Sequence, residues 1–388
     1  MRAVIQMQKA IDAIEQYKGD MPLSIYLKQY CRLHKEMGSR DRRFLQELSF
    51  HYFRLNKALQ HSDIKYTIAT AHYVCTEAID EFIIFWNNEL QLNLLNSEKS
   101  SISFAEKIQQ LQINFEQQFP SAYNISSEID KKAFLENHIK QPFTWIRCKR
   151  KNVETVKAEL KLNNIEFKIS GKSANALGIK NHSDFSKLNS FERGFFEVQD
   201  LSSQLTGNLF QPKEQQTWWD CCAASGGKSL LLKDIEHSVK LLATDSRPTI
   251  ISNLLQRFKK ANIQHYETLI IDLETKSLSA DKKFDSIIID APCTGSGTWS
   301  RNPERMTSFK EEEIALYTKK QFNIAKAVVN NLKPDGKIIY ITCSVYKQEN
   351  EENLNRIATE NKLTIKQQQY LHGYKENADT MFAAILCK

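Results

Sequence analysis

TWWDCCAASGGKS, residues 217–229, decides how the chain is read. A short apolar run ends at Asp220, a tight corner carries Gly226 and Gly227, and a helix follows. Four further runs repeat the theme: LLATD (Leu241–Asp245), TLIID (Thr268–Asp272), DSIIIDAPC (Asp285–Cys293) and GKIIYITCS (Gly336–Ser344). Each stops at a polar or glycine-rich corner, and stretches of helical character lie between them. That is the strand–helix rhythm of a parallel sheet, which places reactive residues at the carboxyl ends of its strands. The predicted class is therefore α/β for residues 201–388. A small basic α/β module is expected over 131–200 and an all-helical domain over 1–130.

The 388 residues, 41% hydrophobic and 26% charged, describe a folded chain long enough for two or three domains. No run approaches the roughly 18 apolar residues that a membrane helix needs. MRAVIQMQKAID at the amino terminus has no continuous apolar core, so no signal peptide is expected. The eight cysteines are too sparse for a disulfide scaffold, and no C-x₂-C pair suggests zinc. Free thiols, a cytoplasmic location, no membrane partner and a monomer are the expectations. The net charge of +7 is unevenly spread: residues 131–200 carry 14 basic and 8 acidic side chains. A basic excess just ahead of the sheet suits a module that holds a polyanion.

Along the chain, residues 1–130 repeat apolar positions at helical spacing. In GSRDRRFLQELSFHYFRLNKAL (Gly38–Leu59), Ser39 or Asp41 is the expected cap. From Gln141 the grammar becomes strand, helix, Asn-Asn turn, strand, which fits a small RNA-contacting module. Lys149, Arg150 and Lys151 form its densest basic cluster and are the candidate phosphate contacts. GFFEVQDLSSQLTGNLF (Gly194–Phe210) leads into the large domain, with Ser202 as an expected helix cap.

The glycine corner at 222–228 is read as a cofactor site. Glycines allow backbone geometry that side chains forbid, and the helix behind them begins with free N–H groups. Gly227-Lys228-Ser229 matches the tail of a Walker loop, but that loop needs glycine where Cys222 stands. A G-x-G-x-x-G fingerprint is also absent. Asp245 ends the next strand, where an acid accepts ribose hydroxyls, and Asp272 ends a third, within reach of an adenine amino group. Ribose-binding acids without a pyrophosphate fingerprint point to S-adenosyl-L-methionine.

Cys293 and Cys343 sit at two further strand ends. Carbon 5 of a pyrimidine is too weak a nucleophile to take a sulfonium methyl unaided. A thiolate that adds at carbon 6 makes carbon 5 enolate-like, and it leaves after a base removes the carbon-5 proton. Asp290 is placed to hold N3 of the base as charge develops. A buried thiol is ordinarily just a small hydrophobe, and the spacing does not say which of these two attacks.

DCCAASGGKS (Asp220–Ser229), DAPCTGSGTWSRNPE (Asp290–Glu304) and YITCSVYKQENEEN (Tyr340–Asn353) resemble motifs of the Fmu/Nop2/NSun, RsmB-like, family of RNA (cytosine-5) methyltransferases. Gly194–Leu205, Pro142–Val156 and Glu376–Leu386 are similar to its lead-in, RNA-binding and closing segments. Gly38–Leu55 is similar to the NusB-like helical domain of bacterial members that act on small-subunit ribosomal RNA. The resemblance implies a class I, Rossmann-like methyltransferase sheet. It makes Cys343 the nucleophile and Cys293 the thiol that assists release. It gives S-adenosylmethionine contacts to Cys222, Ala223, Ala224, Ser225, Gly226, Gly227 and Lys228, and to Asp245, Asp272 and Asp290. Two positions depart from the family pattern: Ser225 where proline is usual, and Ile250 where many members carry arginine. Arg257, on the same helix face as Ile250, is the expected substitute. Ribosomal RNA is the favoured partner. Methylation of a transfer RNA cytosine and a non-catalytic RNA-binding assembly factor are the alternatives.

Overall fold

A computed structural model describes residues 2–95, 103–180 and 184–388. The chain forms two compact units. One comprises 1–123, 131–141 and 299–311; the other comprises 124–130, 142–298 and 312–388.

The first unit is helical. Its longest helix, Ser39–Leu59, buries Leu45, Leu48, Phe53 and Leu55 against helices Arg2–Gln16 and Ile64–Cys75. Gly38 precedes this helix and no side chain caps it; Ser39 already lies inside the first turn, so the expected Ser39 or Asp41 cap is not formed. Arg54, on the same helix, is 1% exposed. Its guanidinium donates to the carbonyls of His138 (2.8 Å) and Ser300 (2.7 Å) and to Oε1 of Gln141 (2.6 Å). These bonds pair both terminal nitrogens of a buried cation with carbonyl oxygens, leaving Nε without a partner, and they fasten residues 138–141 and 300 to the helix.

The second unit holds two sheets. Strands β1 (Thr144–Cys148), β2 (Phe167–Ser170), β3 (Ser173–Ile179) and β4 (Phe196–Val198) pair antiparallel in the order β2-β3-β1-β4. The helix Val153–Leu162 and the Asn163–Asn164 turn connect β1 to β2. The larger sheet contains β5 (Thr217–Asp220), β6 (Lys240–Asp245), β7 (Tyr266–Ile270), β8 (Phe284–Asp290), β9 (Leu332–Thr342), β10 (Thr364–His372) and β11 (Thr380–Cys387). Its order is β10-β11-β9-β8-β5-β6-β7. The five strands from β9 to β7 are parallel, while β11 runs antiparallel to β9 and β10 antiparallel to β11.

The apolar runs are continuous because the central strands are covered on both faces. Trp218, Trp219, Ile287, Ile288, Ile289, Ile338, Ile339 and Ile341 are all fully buried. Each such side chain contributes about 1.5–3 kcal/mol by leaving water. The indole N–H of Trp219 donates to Oγ1 of Thr244 (3.0 Å), whose hydroxyl donates to the Cys221 carbonyl (3.1 Å). That relay fixes the end of β5 against β6. Chain order runs from β5 through β6 to β7 on one side, and β8 and β9 lie on the other. The strand order therefore reverses between β5 and β8, where open α/β sheets place their ligands.

One further local expectation changes. Asp200, not Ser202, caps the helix Leu201–Leu205, accepting the Ser202 N–H at 2.8 Å. The Ser202 hydroxyl donates instead to the Asp379 carbonyl at 2.7 Å.

Candidate active site

The corner after β5 is built by backbone that few side chains tolerate. Ala224 has φ 45° and Gly226 has φ 86°, and the helix Gly227–Ile235 starts directly behind them. A Cβ on Gly226 would lie 3.0 Å from Phe258 and 3.2 Å from Leu254, so the glycine lets the helix Pro248–Ala261 pack closely. At Gly227 a Cβ would meet nothing nearer than Nε2 of Gln199, at 3.9 Å. That side of the corner is open for a ligand to approach the backbone.

Asp245 ends β6 beside this corner. Its Oδ2 accepts the Ala224 N–H at 3.1 Å. Arg247 grips both oxygens, with Nε 2.9 Å from Oδ1 and Nη2 3.0 Å from Oδ2. Burial pushes the Asp245 carboxyl upward, but the Arg247 contacts outweigh it and hold the group below its ordinary range. The side chain of Arg247 is 59% exposed, so a ribose diol can displace the fork at modest cost. Asp272 lies two residues beyond β7, is exposed, and accepts the Glu274 N–H at 3.0 Å. Carboxylates for hydroxyls and an amine, arranged around an open glycine corner, are a donor set that fits S-adenosylmethionine.

Ser225 is tied by Arg257, which donates from Nη1 to the Ser225 carbonyl (2.8 Å) and hydroxyl (3.1 Å) and from Nη2 to Glu197 (2.8 Å). The arginine expected to stand in for Ile250 thus reaches the corner itself.

Lys228 is held by protein partners. Its Nζ donates to Oδ2 of Asp290 at 3.0 Å and to Oγ of Ser203 at 2.8 Å. The lysine side chain is 5% exposed and the aspartate 30%. Gln199 continues the network: Nε2 donates to Ser203 Oγ (3.1 Å) and to the Gly227 carbonyl (3.3 Å), while Oε1 accepts from Arg147 Nε (2.7 Å). Asp220 is fully buried at the end of β5. Its Oδ2 accepts the Ser229 hydroxyl at 2.6 Å and its Oδ1 has no partner. Burial pushes its carboxyl up to about 7.

The two strand-end thiols meet. Sγ of Cys293 lies 3.2 Å from Sγ of Cys343 and accepts the Cys343 N–H at 3.3 Å. The contact with Cys343, reinforced by burial, drives the Cys293 thiol well above its ordinary range. Either sulfur can act as the donor in this contact.

The glycines of DAPCTGSG shape the loop itself. Gly295 supplies φ 74°. A Cβ on Gly297 would fall 2.0 Å from the Thr380 carbonyl and 3.0 Å from that of Cys343, while its N–H donates to the Cys343 carbonyl at 2.9 Å. Here backbone approaches backbone.

Lys149, Arg150 and Lys151 follow β1, with Arg150 and Lys151 exposed and Lys149 half-buried. No hydrogen bond links them to the strand-end residues. Ser203, Gln199, Arg247 and Glu349 were not singled out by the sequence reading. Gln199 and Ser203 lie in the lead-in segment, and Glu349 lies in the QENEEN run behind Cys343.

Among the described residues no helix is long and apolar enough to cross a membrane, and no group of His, Cys, Asp and Glu has the makings of a metal site.

A glycine corner and acidic strand ends at the reversal point of a mainly parallel seven-stranded sheet define a class I methyltransferase-type α/β protein. Residues 208–386 match the family model described as 16S rRNA methyltransferase RsmB/F. Over that segment the chain is similar to the RsmB-like branch of the Fmu/Nop2/NSun methyltransferases. The ribosomal RNA small subunit methyltransferase B of Vibrio vulnificus is 30% identical over 195 residues, 50% of this chain and 46% of the relative. That of Photorhabdus laumondii is 24% identical over 362 residues, 84% of this chain and 83% of the relative. Apart from the latter, the chain spans about half the length of the first curated relatives that it matches. The crystal structure of PH0851 superposes with a TM-score of 0.75 at 19% identity, covering 99% of this chain and 98% of that one, a likeness of fold.

Proposed function

We propose that this protein transfers a methyl group from S-adenosylmethionine to carbon 5 of a cytosine in RNA, with small-subunit ribosomal RNA as the substrate that its relatives' names favour. The observation that carries this reading is the 3.2 Å approach of Cys293 and Cys343 at the strand edge that also holds Asp290 and the 222–228 corner. A lone thiol there would simply fill space, as Cys343 does against the core of the sheet. Two in contact suit a reaction that makes and then breaks a sulfur–carbon bond.

When bound, S-adenosylmethionine supplies an electrophilic methyl group. The Cys343 thiolate adds to carbon 6 of the cytosine, and the ring electrons pass to carbon 5. N3 takes up a proton from solvent as sulfur adds, and the carboxylate of Asp290, held by Lys228, accepts the N3–H, so that no negative charge is left on the ring. Carbon 5 takes the methyl group and then loses its proton to a base. The electrons of that C–H bond restore the ring double bond and expel Cys343 as thiolate. The thiol of Cys293, in contact with the departing sulfur, gives that thiolate a hydrogen-bond donor.

The test is trapping on RNA that carries 5-fluorocytosine, which has no proton at carbon 5 to lose. The expected result is a covalent adduct, absent in Cys343→Ala. With ordinary cytosine, Cys293→Ala is expected to accumulate an adduct that the unaltered protein releases. A protein that binds this RNA and forms no adduct is a scaffold, and the enzymatic reading falls. Bisulfite mapping of cellular RNA with and without the protein identifies the nucleotide.

A further inference from the structure

Neither cysteine is on a rigid element. Cys293 lies three residues beyond β8 and Cys343 one residue beyond β9, so something else must hold two loops within sulfur contact. The residue placed to do so is Glu349, which is 0% exposed. Its Oε1 accepts the Thr294 N–H (2.9 Å) and an N–H of the Gln321 amide (3.0 Å). Its Oε2 accepts the hydroxyls of Thr294 and Ser344, each at 2.5 Å. Thr294 directly follows Cys293 and Ser344 directly follows Cys343, so one carboxyl group joins the neighbours of both thiols. The same carboxyl is anchored from behind. Gln321 Nε2 also donates to the Pro292 carbonyl (3.0 Å), and the Tyr340 hydroxyl donates to the Glu349 carbonyl (2.8 Å).

No lysine or arginine takes part in these contacts. An ionised carboxylate in such a place would lack the cation that usually accompanies a buried charge. Burial pushes the Glu349 carboxyl upward, in the same sense. A neutral carboxylic acid suits the partners: Oε1 accepts two N–H groups, and Oε2 accepts from one hydroxyl while the other hydroxyl turns to accept its O–H.

We infer that Glu349 is a positioning residue that sets the Cys293–Cys343 distance by clamping the residue after each cysteine, and that it works by hydrogen-bonding shape, not by charge. The consequence for catalysis rests on the methyl-transfer reading above, but the clamp itself does not.

Two measurements separate the two ideas. The first is a thiol ruler that needs neither RNA nor cofactor. Hydrogen peroxide oxidises two thiols to one disulfide, taking up their two hydrogens and yielding two waters, and the Cys293–Cys343 link is read by peptide mass mapping without reductant. The second is the yield of 5-fluorocytosine RNA adduct. Glu349→Ala is expected to lower both by tenfold or more, while Glu349→Gln, which keeps the shape without the ability to ionise, retains both within about threefold. Should Glu349→Ala fail to fold, Thr294→Val and Ser344→Ala remove one hydroxyl each and are expected to lower the cross-link severalfold. Binding of S-adenosylmethionine, measured by calorimetry, serves as the control for folding. Unchanged cross-linking in Glu349→Ala, or in both hydroxyl variants, overturns the clamp. Equal loss in the Gln and Ala variants overturns the claim that shape suffices. Cross-linking that follows this pattern in a protein forming no adduct upholds the clamp and sinks the methylation reading instead.

Discussion

The ammonium group of Lys228 donates to the carboxylate of Asp290 across 3.0 Å, joining the first turn after the glycine corner to the end of β8. One pair thus connects the part of the site that fits a methyl donor to the part that holds the thiols. Ser203 completes the lysine's coordination.

Because the lysine is almost fully buried, removing it strands a partly buried carboxylate. Lys228→Met is expected to destabilise the protein by about 1–3 kcal/mol, less than a wholly buried pair would cost. Adding Asp290→Asn should recover part of that loss, since no charge is then left unmatched. Urea unfolding of the two single variants and the double variant gives the coupling.

Arg257 holds Ser225 by two hydrogen bonds and Glu197 by a third. Arg257→Ala should release the corner and weaken S-adenosylmethionine binding by about tenfold, equivalent to about 1.4 kcal/mol. Arg257→Lys should recover little, because an ammonium cannot reproduce the fork. Isothermal titration calorimetry with the cofactor alone measures both.

Neighbouring glycine motifs should respond in opposite ways to an added methyl group. Gly297→Ala drives Cβ into the Thr380 carbonyl, and a destabilisation of about 3 kcal/mol or more is expected. Gly227→Ala meets nothing closer than 3.9 Å, so the fold should tolerate it while cofactor affinity falls. Denaturant midpoints and cofactor titration on the same two proteins distinguish packing from ligand approach.

Asp220 gives a pH signature. Its folded-state carboxyl titrates at about 7, whereas an unfolded chain releases that proton near pH 4. Below about pH 4 both states are protonated and the group has no effect. Between about 4 and 7 the unfolded state holds fewer protons, so stability falls as pH rises, and the full penalty persists above 7. Asp220→Asn should therefore raise the melting temperature at pH 8 and leave it nearly unchanged at pH 4.

How much of this was readable beforehand depends on the range over which each feature is decided. The sheet was legible because strands covered on both faces must be apolar throughout, and runs such as Ile287–Ile289 and Ile338–Ile341 admit no other reading. The corner at Gly226 was legible because its backbone angles exclude most residues locally. Glu349 was not: it stands in a run with Glu351 and Glu352, and only the placement of Thr294 and Ser344, 55 and 5 residues away, turns one of the three inward. The cap at Asp200 was mistaken for Ser202 because either residue type can serve, and the Asp379 carbonyl had already claimed the serine hydroxyl. Nor does anything in TWSRNPERMTSF announce that residues 299–311 fold with the helical unit, which Arg54 and the Ser300 carbonyl help to decide.

The contact between Gly297 and the Thr380 carbonyl carries an implication for biosynthesis. The wall against which the Cys293 loop is shaped is the start of β11, made about 80 residues after that loop leaves the ribosome. A nascent chain stalled between residues 343 and 380 possesses both sulfur atoms and the whole donor corner, yet not the surface that sets the loop. The Cys293 loop of a growing polypeptide is therefore expected to take its final shape only once β11 has been translated and has docked.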